Sequence, residues 1–234
     1  MNPKISVILP TYNEAGNIIR LICELHKILV TSRQSHEIIL VDDNSPDQTA
    51  KNARNFFFAK KFVKIHVRKN QRGLASAIFF GISKSKGKWL IIMDTDFNHD
   101  PNVLLKFIML MNQYSFIIGS RFINGGGMEN KLRNAFSLVF NLYLRILLGH
   151  HVHDNLSGFF AIKKNVLNQF TPQKIFYGFG DYFIRLIYYC CLENVSIVET
   201  PVFYKNRIYG TSKSNFFQMF LSYSSTALKL RLNA

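Results

Sequence analysis

Two carboxylates one residue apart, Asp94 and Asp96, directly follow the apolar run Trp89–Met93. Where a buried strand ends and the chain turns, side chains at i and i+2 can both approach one hard cation. Mg²⁺ and Mn²⁺ take oxygen ligands and commonly complete their shells with substrate phosphates. Asn98 is a candidate third oxygen ligand, whereas His99 reads as a structural neighbour. By itself an Asp-x-Asp is as readily a solvated loop. What strengthens the metal reading is the company it keeps at neighbouring strand ends.

Asp42 and Asp43 close a second apolar run, Glu37–Val41. One of them suits ribose hydroxyls or a base edge; the other suits the cap of a helix starting beyond Ser45-Pro46-Asp47. Tyr12 and Glu14 follow the run Ile5–Leu9 and offer a ring and a carboxylate to a base, or else form a turn with a helix N-cap at Asn13. Arg121, Arg133, Arg207 and Lys213 lie in or beside irregular stretches. Arginine forks match phosphate oxygens in pairs. Ser137 lies one helical turn beyond Arg133, so both can address one anion. Each basic residue alone is as readily a solvated charge.

The elements that must position these groups alternate. Short apolar runs at Ile5–Leu9 (stopped by Pro10), Glu37–Val41, Val63–Val67, Trp89–Met93 and Phe116–Ile118 read as strands. Helical spacing recurs over Asn17–Val30, Gln48–Phe58, Gly73–Ser85 and Asn102–Met111. Such alternation implies an α/β fold with a mostly parallel sheet between helices, and ligands gather at the carboxyl ends of such strands. Those ends read Pro10-Thr-Tyr-Asn-Glu14, Asp42-Asp43, Asp94-Thr-Asp96 and Ser120-Arg121.

The remainder of the chain is less regular. Asn124-Gly-Gly-Gly127 reads as a flexible loop. Beyond it Arg133, Ser137, Asn141 and Arg145 recur every four residues amid apolar side chains, a narrow polar stripe on a helix that is either buried on most sides or lies against lipid. Asn215–Leu228 is uncharged and ring-rich, with Lys229 and Arg231 after it.

At 234 residues and 48% hydrophobic, the chain can bury one sizeable α/β core. Its formal net charge of +15 calls for an anionic partner such as phosphorylated substrates, nucleic acid or anionic lipid. The 22 Phe and 10 Tyr suit a bilayer interface. Cys23, Cys190 and Cys191 form no disulfide or zinc framework and read as buried thiols of a reducing compartment. Neither a secretory leader nor a membrane-spanning run is evident, so a cytoplasmic, peripheral location on a membrane's cytoplasmic face is expected.

Taken in order, Val7-Ile-Leu-Pro-Thr-Tyr-Asn-Glu14, Val41-Asp-Asp-Asn-Ser-Pro-Asp47, Arg72-Gly-Leu74, Asp94-Thr-Asp96, Gly119-Ser-Arg121, Ser157-Gly-Phe-Phe-Ala161 and Tyr209-Gly-Thr-Ser-Lys213 resemble the dolichol-phosphate mannosyltransferase and polyprenyl-phosphate glycosyltransferase group of family-two glycosyltransferases. The resemblance implies a single GT-A domain over residues 1–234. Within it, 1–122 would bind nucleotide, and 123–234 would bind acceptor and carry interface helices near 133–149 and 214–231. It implies that Pro10, Tyr12, Glu14, Asp42, Arg72 and Gly73 contact the nucleotide, and that Asp94, Asp96 and Asn98 hold Mg²⁺ or Mn²⁺. Arg121, Arg133, Ser137, Arg207 and Lys213 would clamp the acceptor phosphate, with Asp94, Asp96 and Arg121 as the catalytic set. The chain departs from the family at Gly178–Arg185, where Asp181 takes the place of an expected acid.

The implied reaction moves a sugar, mannose or glucose, from a donor of the GDP-mannose or UDP-glucose type to a polyprenyl phosphate, with inversion. An acceptor phosphate is already anionic and needs no strong base. The alternative within the family is a hydroxyl acceptor on a polysaccharide or lipid-linked glycan. A non-catalytic nucleic-acid module rests on net charge alone. The acids at the strand ends would repel a phosphate backbone and no usual signature is present, so nucleic acid is not an expected partner.

Overall fold

The structure, a computed structural model, describes residues 3–205 and 216–232. The first half alternates as expected: β1 (Ile5–Thr11), α1 (Ile18–Thr31), β2 (His36–Asp42), α2 (Thr49–Phe56), β3 (Val63–Val67), α3 (Leu74–Lys84), β4 (Trp89–Ile92), α4 (Val103–Leu110) and β5 (Phe116–Ser120). The strands are near-continuous apolar runs because helices cover both of their faces. Val7, Leu9, Ile38, Leu40 and Ile91 pack beneath α1 and α4, where Leu21, Leu25, Leu104 and Phe107 meet them. Ile8, Leu90, Ile92, Phe116 and Ile118 form the second core with Ile78 and Ile82 of α3.

Pro10 does not stop β1, which continues to Thr11. Ile8 accepts from Met93 on the β4 side, so the even-numbered groups of β1 face β4. Pairing with β4 ends at Ile8, so the N–H that Pro10 lacks would have met no strand.

The second half adds β6 (Gly127–Met128), α5 (Lys131–Leu148), β7 (Phe160–Lys163), α6 (Lys164–Leu167), α7 (Tyr182–Leu192), β8 (Ile197–Pro201), β9 (Phe203–Tyr204) and α8 (Phe216–Leu232). The main sheet runs β3-β2-β1-β4-β7-β5-β8. Only β7 is antiparallel to its neighbours, lying between β4 and β5. The sheet is therefore mostly parallel, and strands from residues beyond 122 complete it. A small parallel pair, β6 and β9, stands apart from it.

Helix α5 settles the question raised by its polar stripe in an unexpected sense. Ser137 and Asn141 face inward together with Phe140, Leu144 and Leu148, while Leu132, Phe136, Leu138, Val139, Leu142, Tyr143 and Ile146 are exposed. Asn141 makes the inward stripe coherent. Its amide donates to Ser137 O (2.8 Å) and accepts from Asn155 N (2.6 Å). Helix α8 packs beside α5 through Tyr223 and Ala227, and Phe220, Leu221, Leu228 and Leu232 remain exposed. No helix among the described residues is long and apolar enough to cross a membrane.

Three further expectations change. Cys190 is buried, but Cys191 is only partly so and Cys23 is exposed, so the buried-thiol reading holds for one cysteine of three. Asp181 is not a free acid. It pairs with Arg185 (2.6 Å), whose side chain, 1% exposed, also donates to Ile175 O and Tyr177 O. The glycines of 125–127 are not there for flexibility. A Cβ on Gly126 would lie 2.6 Å from Ser120 O and 2.8 Å from the Arg121 carbonyl, a close approach only glycine permits.

Gly126→Ala is thus expected to destabilise the fold by about 1–3 kcal/mol, because backbone cannot yield as a side chain can; chemical denaturation measures it. A pH dependence follows from the histidines. Burial first, then His36 and Lys60, lowers His26; burial, then Lys84, Lys64 and Arg54, lowers His66; burial, then His151, lowers His150 to about 4. The unfolded chain, with imidazoles near 6.5, takes up protons that the folded chain refuses. Stability is full above about pH 6.5 and is lost as pH falls below it, so the melting temperature should drop between pH 7 and 5, with a shallower slope in His150→Phe.

Candidate active site

The loops after β1 and β2 are stitched into one rim. Backbone N–H groups of Asn13, Glu14 and Ala15 donate to Ser45 Oγ, Thr49 Oγ1 and Asp47 Oδ2, each at 2.9 Å. Asn13 sits at φ 60°, in the left-handed region, and is exposed. It caps no helix; Asn17 precedes α1 and its amide donates to Glu14 Oε2 (2.8 Å). Asp42 is buried beneath this rim and accepts from both the N–H and the hydroxyl of Ser45. Asp43 pairs with Arg68 and accepts from Gly73 N (2.9 Å). Neither acid caps α2, because Asp47 accepts from Thr49 N and Oγ1 there.

The Arg68–Asp43–Gly73 knot fixes the loop that carries Arg72. Arg68 also donates to Ser76 Oγ and Gly73 O, and Gly73 adopts φ 152°. Arg72 then lies over the Tyr12 ring, 3.7 Å from its centroid. Pro10, Tyr12, Glu14, Asp42, Arg72 and Gly73 thus belong to a single rim at the carboxyl edge of β1 and β2. Of these Arg72 is exposed, Tyr12, Glu14 and Gly73 are partly exposed, and Pro10 and Asp42 form the floor.

Asp94 and Asp96 leave β4 in unlike environments. The Asp94 side chain is 45% exposed, whereas Asp96 is 4% exposed and accepts from Asn98 N (3.1 Å). Phe97 between them and Asn98 adopts φ 62°, a left-handed backbone that costs energy for a residue with a bulky side chain. Its ring is buried beneath the Arg20 guanidinium at 4.8 Å. Behind the loop His99 is 1% exposed, stacked on Phe159 (4.7 Å, 8°) and against Tyr204 (4.8 Å). Its Nδ1 accepts from Asp94 N (2.9 Å). Burial above all holds this imidazole near pKa 4, and hence neutral.

The donor set fits a hard divalent cation in one respect: two carboxylates and the Asn98 amide supply only oxygen. Among the described residues no cluster of three His, Cys, Asp or Glu side chains could hold an ion unaided.

Beyond β5, Arg121 is buried rather than open. Its Nε and Nη2 donate to Asp154 Oδ2 (2.8 Å) and Oδ1 (2.7 Å), and its own N–H donates to Oδ2 (2.9 Å). Asp154, 0% exposed, is the carboxylate that this buried guanidinium requires. Glu199 of β8 accepts from Asp154 N and from His153. The Tyr204 ring lies 4.8 Å from the Arg121 guanidinium, and its hydroxyl donates to Ser157 O. Arg121 is thereby a member of the wall, not a free clamp. Arg133 is exposed in the first turn of α5, and Ser137, 8% exposed, points inward beside Asn141, so the two do not share one anion-facing surface. Arg207 and Lys213 lie outside the described residues. Sequence reasoning missed Asp154, Glu199 and Tyr204. They sit in stretches without periodicity, and nothing local marks them as partners of Arg121.

The seven-stranded sheet with these loops at its carboxyl edge is a GT-A-like fold. Glucosyl-3-phosphoglycerate synthase from Mycobacterium tuberculosis, solved with Mn²⁺, UDP and glucosyl-3-phosphoglycerate, superposes with a TM-score of 0.71 at 18% identity, over 97% of this chain and 80% of that one. Dolichol-phosphate mannosyltransferase of Pyrococcus furiosus is 37% identical over 169 residues, 70% of this chain and 47% of the relative. The protein of the same name from Saccharomyces cerevisiae is 32% identical over 179 residues, 75% and 66% respectively. That from Mycosarcoma maydis is 30% identical over 219 residues, 90% and 74%. The chain thus spans about half the length of the first of these relatives and about two thirds of the second. Residues 6–171 match the sequence profile of glycosyl transferase family 2, which takes in β1 to β7 and both halves of the site, and the chain belongs to that family.

Proposed function

We propose that this protein transfers a sugar from a nucleoside diphosphate sugar to a polyprenyl phosphate at a membrane surface, with inversion at the anomeric carbon. The names of three relatives favour this acceptor. The observation in the fold that carries it is the outward apolar face of α5 and α8, where Phe136, Val139, Ile146, Leu221 and Leu232 are exposed. A helix that already buries Phe140, Leu144 and Leu148 on its inner face gains nothing by showing this second apolar surface to water, and an acceptor with a long hydrocarbon tail lives where that surface is stable. The net charge of +15 complements an anionic leaflet, here assigned to the cytoplasmic side.

In this reading the rim of Tyr12, Glu14 and Arg72 receives the nucleoside, with Asp42 and Asp43 bracing it from below. Asp94, Asp96 and Asn98 would hold Mg²⁺ or Mn²⁺, which supplies charge neutralisation for the departing diphosphate. The exposed Arg133, with Arg207 and Lys213, orients the acceptor phosphate, and Arg121 shapes the wall between the two anions. The nucleophile is already ionised, so positioning and electrostatics carry the rate and no general base is assigned.

Incubation with labelled GDP-mannose or UDP-glucose, polyprenyl phosphate and Mn²⁺ is expected to label the lipid. Asp96→Ala should lower the rate by roughly 10²–10³-fold, as loss of a preorganised electrostatic group does. No labelling with any donor, in folded protein that still binds nucleotide, would overturn the lipid-phosphate acceptor. The membrane face has its own test. The unmodified chain is expected to co-sediment with phosphatidylglycerol-rich vesicles, and Val139→Asp with Ile146→Asp to abolish this while leaving nucleotide binding intact.

A further inference from the structure

Gly178–Arg185, where the chain departs from its family, brings a tyrosine hydroxyl to the site. Tyr182 is the first residue of α7 and is 2% exposed. Its ring stacks on Phe176 (5.8 Å, 25°) and leans on Phe183 (6.2 Å). Arg185 fixes the start of the helix by pairing with Asp181 while donating to Ile175 O and Tyr177 O. The ring is therefore held, and its hydroxyl ends beside Gly158, where a Cβ would lie 3.7 Å from it. Two residues beyond Gly158, Phe160 pairs with Ile92 of β4 and with Ile118 of β5. Gly158 thus lies at the carboxyl edge of the sheet, in the floor of the gap between the Asp-x-Asp loop and the Arg121 corner. No hydrogen bond within the described residues occupies the Tyr182 hydroxyl. Nor is it one of the sealed, unpartnered polar atoms of the interior, so the small exposure that the residue keeps includes this oxygen.

We propose that the Tyr182 hydroxyl meets a hydroxyl of the sugar being transferred and takes part in selecting which sugar the site accepts. This rests on the reading of the gap as the place between the donor's diphosphate and the acceptor's phosphate. With an anion on either side, the group that spans the floor is the sugar ring. Burial above all, then Asp94, Tyr223 and Tyr204, holds the phenol's pKa well above its ordinary value, so the hydroxyl stays neutral. A neutral phenol can donate one hydrogen bond and accept another, which matches a sugar hydroxyl and brings no charge to a diphosphate. Its ring is packed before any ligand arrives, so little freedom is lost on contact. A site that hydrogen-bonds a substrate hydroxyl discriminates against the analogue lacking it, because its own polar group is then left unpaired. The alternative is that Tyr182 only fills the core against Phe176 and Phe183. Tyr182→Phe separates the two, since it keeps the ring and removes the hydroxyl.

The test uses the full chain with Mn²⁺ and compares GDP-mannose with GDP, and UDP-glucose with UDP, by calorimetry and in the transfer assay. For the donor that the unmodified chain uses, Tyr182→Phe is expected to lower kcat/KM about tenfold, the worth of one hydrogen bond. Affinity for the bare nucleoside diphosphate should stay within twofold, and the melting temperature should not fall. Deoxy donors, each lacking one sugar hydroxyl, locate the contact. One of them should lose about tenfold with the unmodified chain and nothing further with Tyr182→Phe, as two changes that remove the same hydrogen bond do. A kcat/KM in Tyr182→Phe within twofold of the unmodified chain overturns the sugar contact, as do losses that multiply for every deoxy donor. A parallel fall in affinity for the bare diphosphate also overturns it, because the hydroxyl then serves the diphosphate. Binding of a nucleotide sugar without labelling of polyprenyl phosphate overturns the acceptor alone. The affinity gap between sugar-bearing and bare nucleotide, with and without the Tyr182 hydroxyl, then decides. A chain that binds neither nucleotide sugar overturns both readings.

Discussion

A guanidinium that is withdrawn from water must be matched, and the second half of this protein is arranged around matching one. Arg121 takes Asp154 in a bidentate pair inside the fold. Asp154 is in turn fixed by its own N–H on Glu199, and its Oδ1 also accepts from Leu156 N. One ion pair therefore ties the end of β5, the segment that leads into β7, and β8. Tyr204 extends the tie to β9 by lying against Arg121 while its hydroxyl reaches Ser157. Removing either charge would strand the other at a cost of about 3–5 kcal/mol, far more than a surface pair of the same residues is worth.

The same wall spaces the two anions that the proposed reaction brings together. Because β7 intervenes, β4 and β5 are two strand widths apart, roughly 10 Å. The Asp-x-Asp loop and the Gly119-Ser-Arg121 corner thus stand on opposite sides of a gap. The gap is floored by the residues that precede β7, among them Ser157 and Phe159. His99 stacks on Phe159 from the Asp94 side, and Tyr204 meets His99 from the Arg121 side. The two halves share a continuous wall of rings, which gives the site a rigid back without a covalent link.

Where the chain repeats a simple period, its sequence discloses its structure. All five strands of the first half and the four helices between them lie within a few residues of where apolar spacing puts them, because each element buries a face that its own residues announce. The Asp-x-Asp loop and the Tyr12–Glu14 side of the rim were legible for the same reason, since they sit at ends of elements that were legible, whereas Arg72 entered only through the family resemblance. What could not be read is what distant parts do to one another. Phe160–Lys163 looks like any short apolar run, and nothing in it says that it slots antiparallel between β4 and β5. Arg121 looks like a free cation until Asp154, 33 residues later, is found against it. The stripe of α5 was visible as a pattern, but a pattern does not say which side meets protein; Asn155, reaching Asn141 from another segment, decides that.

The placement of β7 also has a consequence for how the chain assembles. In the sheet β5 touches only β7 and β8, and never β4. As a growing chain emerges, β4 gains its first neighbour early, from β1, but its other edge stays bare until Phe160–Lys163 appears, roughly seventy residues later. At ordinary rates of synthesis that interval lasts several seconds. During it the Gly119-Ser-Arg121 corner exists without a sheet to belong to, and Leu90 and Ile92 line an unfilled edge of the kind that recruits wrong partners. The strand that separates the Asp-x-Asp loop from the Arg121 corner thus also closes the bare edge of β4, with only β8 still to follow it into the sheet, and the route to the native state is set by its late arrival.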